Sequence, residues 1–178
     1  MTRTVSAGLI LVMAAAAMPP VPRKSPEFTI TEGPGKETLL SSYRGKVVVL
    51  AFVHTTCIHC QQFSAELTKL HHELGSKGFQ PIDVAWNPSA QQLVPGFVKQ
   101  NGIDFPVGYS DWDPIMSYLG FSVMDRPVVP LIVVIDKKGV IRAQSPPEGD
   151  PTLQDENKLR ALIQSLLAEG PTAAKGKR

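Results

Sequence analysis

Apolar residues along the chain follow two kinds of spacing, and each kind predicts a different element. Residues 46–53 form a continuous apolar run rich in valine, which is typical of a strand buried on both faces. Over 58–74 the apolar positions recur at helical spacing, and glycines at 75 and 78 end the predicted helix. The other apolar clusters predict strands at 28–30, 80–85, 105–109, 128–135 and 140–143, and helices that begin at 87 and lie over 113–119 and 159–167.

The predicted elements come in the order strand, helix, strand, helix, strand, helix, hairpin, helix. This order is typical of α/β proteins, in which helices flank a central mixed sheet with a parallel core and an antiparallel edge. One domain is predicted over 27–169. It follows a linker over 19–26, because four prolines in these eight residues exclude a helix and a central strand. Residues 170–178 are small, polar and basic, and we expect them to be disordered.

The amino terminus carries a targeting pattern. Arg3 is followed by an apolar run over 5–18 that prolines end, as in secretory signals. The run is shorter than the roughly 20 residues that a membrane-spanning helix needs. We therefore predict that residues 1–18 are a signal peptide or an amino-terminal anchor, and that the protein is exported to the periplasm or another extracytoplasmic space. Membrane attachment is expected only if this segment is not cleaved.

Composition narrows the class of protein. Hydrophobic residues make up 43% of the 178 residues and charged residues 19%, which argues against a disordered or fibrous chain. The net charge of +2 gives no basis for a nucleic-acid partner. The two cysteines are too few for a disulfide-rich scaffold, and both lie in one short motif.

The motif Cys57-Ile58-His59-Cys60 lies where the predicted buried strand turns into a helix. The first cysteine is then at the helix amino terminus, where free N–H groups and the helix dipole favour a thiolate. The second lies one turn further on, close enough to attack a mixed disulfide. Thiol–disulfide exchange requires this pairing of an exposed nucleophile with a resolving thiol, and a CxxC at a strand-to-helix junction is a strong signal for it.

Residues 45–52 and the cysteine motif that follows resemble the active-site strand of thioredoxin-like proteins. The narrower resemblance, over 28–167, is to the exported TlpA/ResA-like thiol–disulfide oxidoreductases of bacteria, which are grouped with the redoxin and AhpC/TSA-like families. It implies a thioredoxin-like fold with a strand–helix insertion over 80–109, between the CxxC motif and a cis-proline. It also implies that Cys57 and Cys60 exchange disulfides with protein substrates and that a redox partner recycles them. No organic cofactor is expected, because the dithiol itself carries two electrons.

Val129-Pro130 matches the segment that carries the cis-proline in this family. The resemblance implies that this peptide bond is cis and that it faces the cysteine pair. The main chain of Val129 is then expected to hold the substrate polypeptide beside Cys57, in the manner of an added strand. Pro127 is the competing candidate, but Pro130 directly precedes the apolar strand.

Several positions near the cysteines depart from the family pattern. Thr56 replaces the tryptophan that is common before the first cysteine, and Ala51 replaces the buried acid that thioredoxin has on the preceding strand. Phe63 stands where many relatives carry an acidic residue after the motif. The proton acceptor for Cys60 is therefore not assigned from the sequence, and Glu66 is one substitute.

His59 lies directly before the second cysteine and resembles the dipeptide of the periplasmic oxidase DsbA. A partial positive charge on His59 is expected to stabilise the Cys57 thiolate, and therefore the reduced form, which makes the disulfide a stronger oxidant. DsbA also has a helical insertion for which this chain lacks room. The sequence thus indicates an oxidising bias and leaves the direction of electron flow open.

Three other interpretations of the motif stay open. As a thiol peroxidase, the protein would use Cys57 to attack a hydroperoxide, but Leu50 and His54 occupy the places where that family has proline and threonine or serine. A copper-handling module would use both cysteines with His54 or His59, whereas our site prediction contains no metal. The third is an inert structural disulfide, but a disulfide that closes a loop of only four residues rarely has a purely structural role.

Trp86 and Trp112 are expected to pack in the core or at its rim, with the lining of a substrate groove as the alternative. Asp111 and Asp113 flank Trp112, and Asp113-Pro114 is explained as the start of a helix. The sequence therefore assigns no catalytic role to these residues.

Overall fold

The computed structural model describes residues 18–170. The predicted signal or anchor and the predicted tail lie outside these residues, apart from Met18 and Gly170. The strands are β1 Arg23–Lys24, β2 Thr29–Gly33, β3 Lys36–Leu39, β4 Val47–Val53, β5 Phe79–Ala85, β6 Val107–Tyr109, β7 Leu131–Ile135 and β8 Val140–Gln144. The helices are α1 Ile58–Leu74, α2 Ala90–Asn101, α3 Trp112–Leu119, α4 Pro151–Gln154 and α5 Glu156–Ala168. Over this part of the chain, no helix has the length and apolar character needed to cross a membrane.

The strands form one mixed sheet in the order β1-β8-β7-β4-β5-β6-β2-β3. β4, β5 and β6 run parallel to one another, and the outer pairings are antiparallel. The predicted α/β fold with a parallel core and an antiparallel edge is therefore confirmed, and the pairings of β2 show that the opposite edge is antiparallel too. β5, α2 and β6 lie between the cysteine motif and Val129-Pro130, where the family resemblance places the insertion.

β4 is buried on both faces because helices cover both sides of the sheet. On one face Val49 and Ala51 belong to the core that α1, α2 and α5 cover. On the other face Leu50 and Phe52 pack with residues of α3 and β2. This double burial explains why the strand is a continuous apolar run rather than an alternating one.

Phe52 is fully buried, and its truncation is expected to destabilise the fold strongly. Its ring centroid lies 5.4 Å from that of Phe28 and 5.9 Å from that of Tyr118. Because a cavity would remain among these rings, we expect Phe52→Ala to lower the free energy of unfolding by about 3–5 kcal/mol. Urea unfolding followed by circular dichroism measures the loss. Val123→Ala, at an 85% exposed position, is the control, with an expected change below about 0.5 kcal/mol; equal effects would contradict this account of the core.

The segment predicted as a proline-rich linker over 19–26 contributes a short strand to the sheet. Arg23–Lys24 forms an edge strand that pairs antiparallel with Val140 and Ile141 of β8, and the N–H of Ser25 donates to the carbonyl of Gly139 at 2.9 Å. An edge strand needs hydrogen bonds on one side only, so it tolerates neighbouring prolines that a central strand would exclude. The sheet therefore includes two residues that precede the predicted domain over 27–169.

The directions of the strands bring the loop that carries the cysteine motif and three other segments to one edge of the sheet, which we call the active-site edge. Because β4, β5 and β6 are parallel, the segments after them, at 54–57, 86–89 and 110–112, meet at one edge. β7 is antiparallel to β4, with Leu131 opposite Phe52, so the residues just before β7 reach the same edge. Open α/β sheets bind ligands outside the carboxyl ends of their parallel strands, and both cysteines lie there.

Candidate active site

Cys57 occupies the N-cap position of α1, with extended backbone (φ −86°, ψ 121°). Its carbonyl accepts the N–H of Gln61 at 3.0 Å, while its side chain is partly exposed. The amino terminus of a 17-residue helix favours negative charge through its free N–H groups and dipole. The first cysteine is thus reachable from solvent at a position that suits an anion, as the sequence predicts.

Cys60 lies in the first turn of the same helix and is completely buried. Burial raises the pKa of its thiol far above the ordinary value. A side-chain hydrogen bond with Cys57 and the charges of Cys57 and Asp83 add to this rise, while a hydrogen bond from the N–H of His54, 3.5 Å from the sulfur, opposes it. Both cysteines are free thiols. The pair is therefore asymmetric, with one accessible sulfur and one sulfur that holds its proton firmly.

The loop before Cys57 is held by a buried polar network. The N–H of Thr55 donates to Oδ1 of Asn87 at 2.8 Å, and Nδ2 of Asn87 donates to the Thr55 hydroxyl at 3.1 Å. Nε2 of Gln61 donates to the Thr55 carbonyl at 3.0 Å. The sequence predicts Asn87 only as part of a helix start, but its side chain connects the loop after β5 to the loop that leads to Cys57.

Asp83 is a buried acid that the sequence-based site prediction missed. It lies on β5 with Ala51 of β4 as its Cα partner, and it is completely buried. The hydroxyl of Ser64 donates to its Oδ2 at 2.6 Å, and within residues 18–170 its Oδ1 has no hydrogen-bond partner. Ser64 follows Cys60 by four residues, so both side chains lie on the face of α1 that packs on this part of the sheet. The acid absent at Ala51 is thus present on the adjacent strand.

Electrostatics connect Asp83 to Cys60. Burial raises the pKa of Asp83 to about 7, although the hydrogen bond from Ser64 lowers it. The charge of Asp83 in turn raises the pKa of Cys60. Burial also raises the pKa of Glu66, the acid that the sequence offered, but the charges that act on it are those of Glu156, Lys69 and Asp155. The sequence signal that could have identified Asp83 was its place as the single acidic residue in the otherwise uncharged strand Phe79–Ala85.

The peptide bond between Val129 and Pro130 is cis, as the family resemblance implies. Val129 packs against the same core cluster as Cys57, and the register of β7 on β4 places it at the active-site edge. Among residues 18–170, its N–H and carbonyl have no hydrogen-bond partner. The main chain at this position can therefore pair with another polypeptide.

The histidines occupy separate surroundings. His59 is exposed and lines a shallow depression with Gln62 and Phe63. His54 is half-buried against Trp86, with ring centroids 4.3 Å apart. Over the part of the chain that the structure describes, no group of three or more His, Cys, Asp or Glu side chains is arranged to hold a metal ion.

A sequence profile of the AhpC/TSA family matches residues 21–144. The chain belongs to the AhpC/TSA family. The matched region includes both cysteines, Asp83 and the Val129-Pro130 segment, so the membership covers the whole active-site edge. The predicted grouping with the redoxin-like proteins is confirmed.

Individual relatives narrow the activity. The thiol-disulfide oxidoreductase ResA of Bacillus anthracis is 28% identical over 122 residues, which span 68% of this chain and 67% of that protein. The solution structure of a putative protein disulfide isomerase from Bacteroides thetaiotaomicron matches with a TM-score of 0.67 and 27% identity, over 85% of this chain and 92% of that chain. The crystal structure of a putative thiol:disulfide interchange protein DsbE from Chlorobium tepidum, at 23% identity and a TM-score of 0.65 over 82% and 96% of the two chains, shows the shared fold. This member of the AhpC/TSA family is a thiol–disulfide oxidoreductase with a thioredoxin-like fold.

Proposed function

We propose that this oxidoreductase exchanges disulfides with protein substrates, with Cys57 as the attacking sulfur and Cys60 as the resolving sulfur. The difference in exposure between these two cysteines, one helical turn apart, carries the assignment. A substrate disulfide can reach Cys57 from solvent, whereas Cys60 can be reached only through Cys57. This geometry supports an order in which Cys57 attacks the substrate first and Cys60 attacks the mixed disulfide second.

Each step of the exchange balances. The Cys57 thiolate attacks a sulfur of the substrate disulfide, which forms a mixed disulfide and releases the first substrate thiolate. Cys60 then loses its proton and attacks the Cys57 sulfur, which releases the second substrate thiolate and forms the Cys57–Cys60 disulfide. Substrate oxidation is the same sequence in reverse. The dithiol carries both electrons, so the proposal needs no cofactor, and a redox partner must restore the starting state.

Asp83 is proposed as the proton acceptor for Cys60. A thiol with a strongly raised pKa cannot attack at neutral pH unless a base removes its proton in the transition state. Asp83 is buried beneath the turn that carries Cys60 and Ser64, and its free Oδ1 leaves one oxygen available for this proton. A pKa of about 7 suits a group that alternates between acid and base.

We also propose a segment that binds the substrate, a residue that sets the direction of electron flow and the compartment in which the protein works. Val129 and Pro130 are proposed to present the main chain that holds the substrate beside Cys57, and the unpaired N–H and carbonyl of Val129 support this role. His59 is proposed to tune the potential towards oxidation. The apolar segment at the amino terminus supports export to an oxidising compartment, where a disulfide persists.

The reduction potential of the Cys57–Cys60 couple tests the direction. Equilibration with glutathione buffers is expected to give about −120 to −180 mV, in the range of oxidants and isomerases. His59→Ala should make the value more negative, because it removes a group that stabilises the thiolate form. A wild-type value near about −270 mV or below would contradict the oxidising bias, and the absence of a reversible two-electron couple would contradict the exchange function itself.

Thiol peroxidase activity is the second candidate, since the AhpC/TSA profile matches the chain. In that activity the Cys57 thiolate would attack a hydroperoxide, form a sulfenic acid and release water or an alcohol. Cys60 would then attack the sulfenic sulfur, which breaks its S–O bond, releases water and forms the Cys57–Cys60 disulfide. Parallel assays of the reduced protein with hydrogen peroxide and with a protein disulfide separate the candidates. Faster reaction with the disulfide is the expected result.

A further inference from the structure

We propose that a groove beside the cysteine motif, lined by Trp86, Trp112, Asp111 and Glu37, binds a positively charged stretch of the substrate polypeptide. This inference rests on the proposed function and specifies its substrate: a chain with lysine or arginine near the target cysteine. The groove lies away from the Val129-Pro130 segment, across the sheet on the side of β5 and β6.

The groove is continuous with the active-site edge. The N–H of Trp86 donates to the carbonyl of Val53 at 3.2 Å, and the N–H of Ser110 donates to the carbonyl of Ala85 at 3.0 Å. These bonds extend the parallel pairing of β4, β5 and β6 past the strand ends. The groove floor is therefore attached to the loop that leads to Cys57, and a polypeptide bound at Cys57 can continue into it.

Aromatic rings form a path along this groove. Trp86 packs between His54, at 4.3 Å, and Trp112, at 4.9 Å between ring centroids. Trp112 is 37% exposed, so its ring is open to a ligand. Tryptophan faces attract ammonium and guanidinium groups. The exposed ring of Trp112 is therefore a contact surface for a lysine or arginine side chain of the bound polypeptide.

Among the residues that the structure describes, the charged side chains that line the groove are acidic. Two adjoining depressions of about 750 and 570 Å³ share Tyr109, Ser110 and Asp111. Glu27 and Glu37 line the second, and no lysine or arginine within residues 18–170 lines either of them. Burial lowers the pKa of His54, so the imidazole beside Trp86 is neutral near pH 7. An acidic groove on a chain with net charge +2 complements a basic segment and disfavours an acidic one.

The test uses three peptides that share one cysteine, held as a mixed disulfide with glutathione, and differ at the flanking positions: lysine, glutamine or glutamate. The second-order rate constant with the reduced protein is measured at low and high salt. We expect the lysine peptide to react about tenfold faster than the glutamate peptide at low salt, and the difference to shrink at 1 M salt, where charges are screened.

Two double variants test whether the preference for the lysine peptide comes from the groove. Glu27 is left intact, because its carboxylate accepts the N–H groups of Phe28 and Ser41. Asp111→Asn combined with Glu37→Gln should reduce the lysine-to-glutamate ratio to below about twofold. Glu73→Gln combined with Glu169→Gln removes the same charge at the opposite end of the sheet and should keep the ratio. An unchanged ratio in the groove variant, or no preference in the wild type, would overturn the proposal.

A binding measurement separates this inference from the exchange function. Trp86 and Trp112 are the two tryptophans of the chain, so intrinsic fluorescence reports directly on the groove. A lysine peptide with serine in place of cysteine should change this fluorescence, and the glutamate peptide should not. A response without any exchange reaction would support the groove and contradict the proposed function. Exchange without any fluorescence response or charge preference would support the proposed function and contradict the groove.

Discussion

Asp83→Asn is expected to slow thiol–disulfide exchange by about 10²–10⁴-fold, the usual contribution of a positioned general acid or base. Asparagine keeps the size of the side chain and an oxygen for the Ser64 hydroxyl, but it cannot take the proton of Cys60. The wild-type rate of the resolving step should rise with pH through about 7, as Asp83 ionises. The variant should lack this inflection. Stopped-flow measurement of mixed-disulfide resolution between pH 5 and 9 records both effects.

The same substitution is expected to stabilise the fold above neutral pH. The pKa of Asp83 is about 7 in the folded protein against an ordinary 3.8, so the folded state binds this proton more tightly than the unfolded state. The contribution of the Asp83 proton to the free energy of unfolding is fully present below about pH 4 and is lost as the pH rises towards 7. At 1.36 kcal/mol per pKa unit, the loss reaches roughly 4 kcal/mol at most. Asparagine has no such loss, so urea unfolding at pH 8 should require more urea for the variant.

Ser64→Ala is the matched variant for Asp83. It keeps the carboxylate and removes the hydrogen bond that lowers the carboxyl pKa. The inflection should therefore remain and move to higher pH. A wild-type pH profile in both variants would contradict the assignment of Asp83 as the proton acceptor, since a purely structural role would not shift the inflection in one variant and remove it in the other.

The two cysteines should give opposite results when each is replaced by serine. Cys57→Ser is expected to abolish exchange, because the buried Cys60 cannot reach a protein disulfide. Cys60→Ser is expected to keep the first attack and to accumulate a mixed disulfide on Cys57, because no resolving thiol remains. Intact-mass spectrometry after mixing with a disulfide substrate measures the adduct, and a turnover assay measures the loss. Turnover by Cys57→Ser, or no adduct on Cys60→Ser, would contradict the order of attack.

Local patterns predict much of the fold. The apolar run of β4, the helical spacing of α1 and the motif between them depend on near neighbours in sequence, and the structure has all three at the predicted positions. The Val129-Pro130 segment was found only through the family resemblance, because the two peptide isomers are not distinguished by local sequence. The short β1 was missed, because an edge strand of two residues leaves no hydrophobic period.

The chain order and residue types by themselves determine an α/β sheet with a CxxC at the amino terminus of a helix, since strand burial and helix phase are local properties. Only the tertiary structure decides which distant residues join that motif. Asp83 lies beside Ala51 because β4 and β5 pair in register, Asn87 reaches Thr55 across the same pairing, and Trp86 meets Trp112 because β5 and β6 end together. Such contacts depend on strand register and helix packing over tens of residues, which the spacing along one chain does not encode.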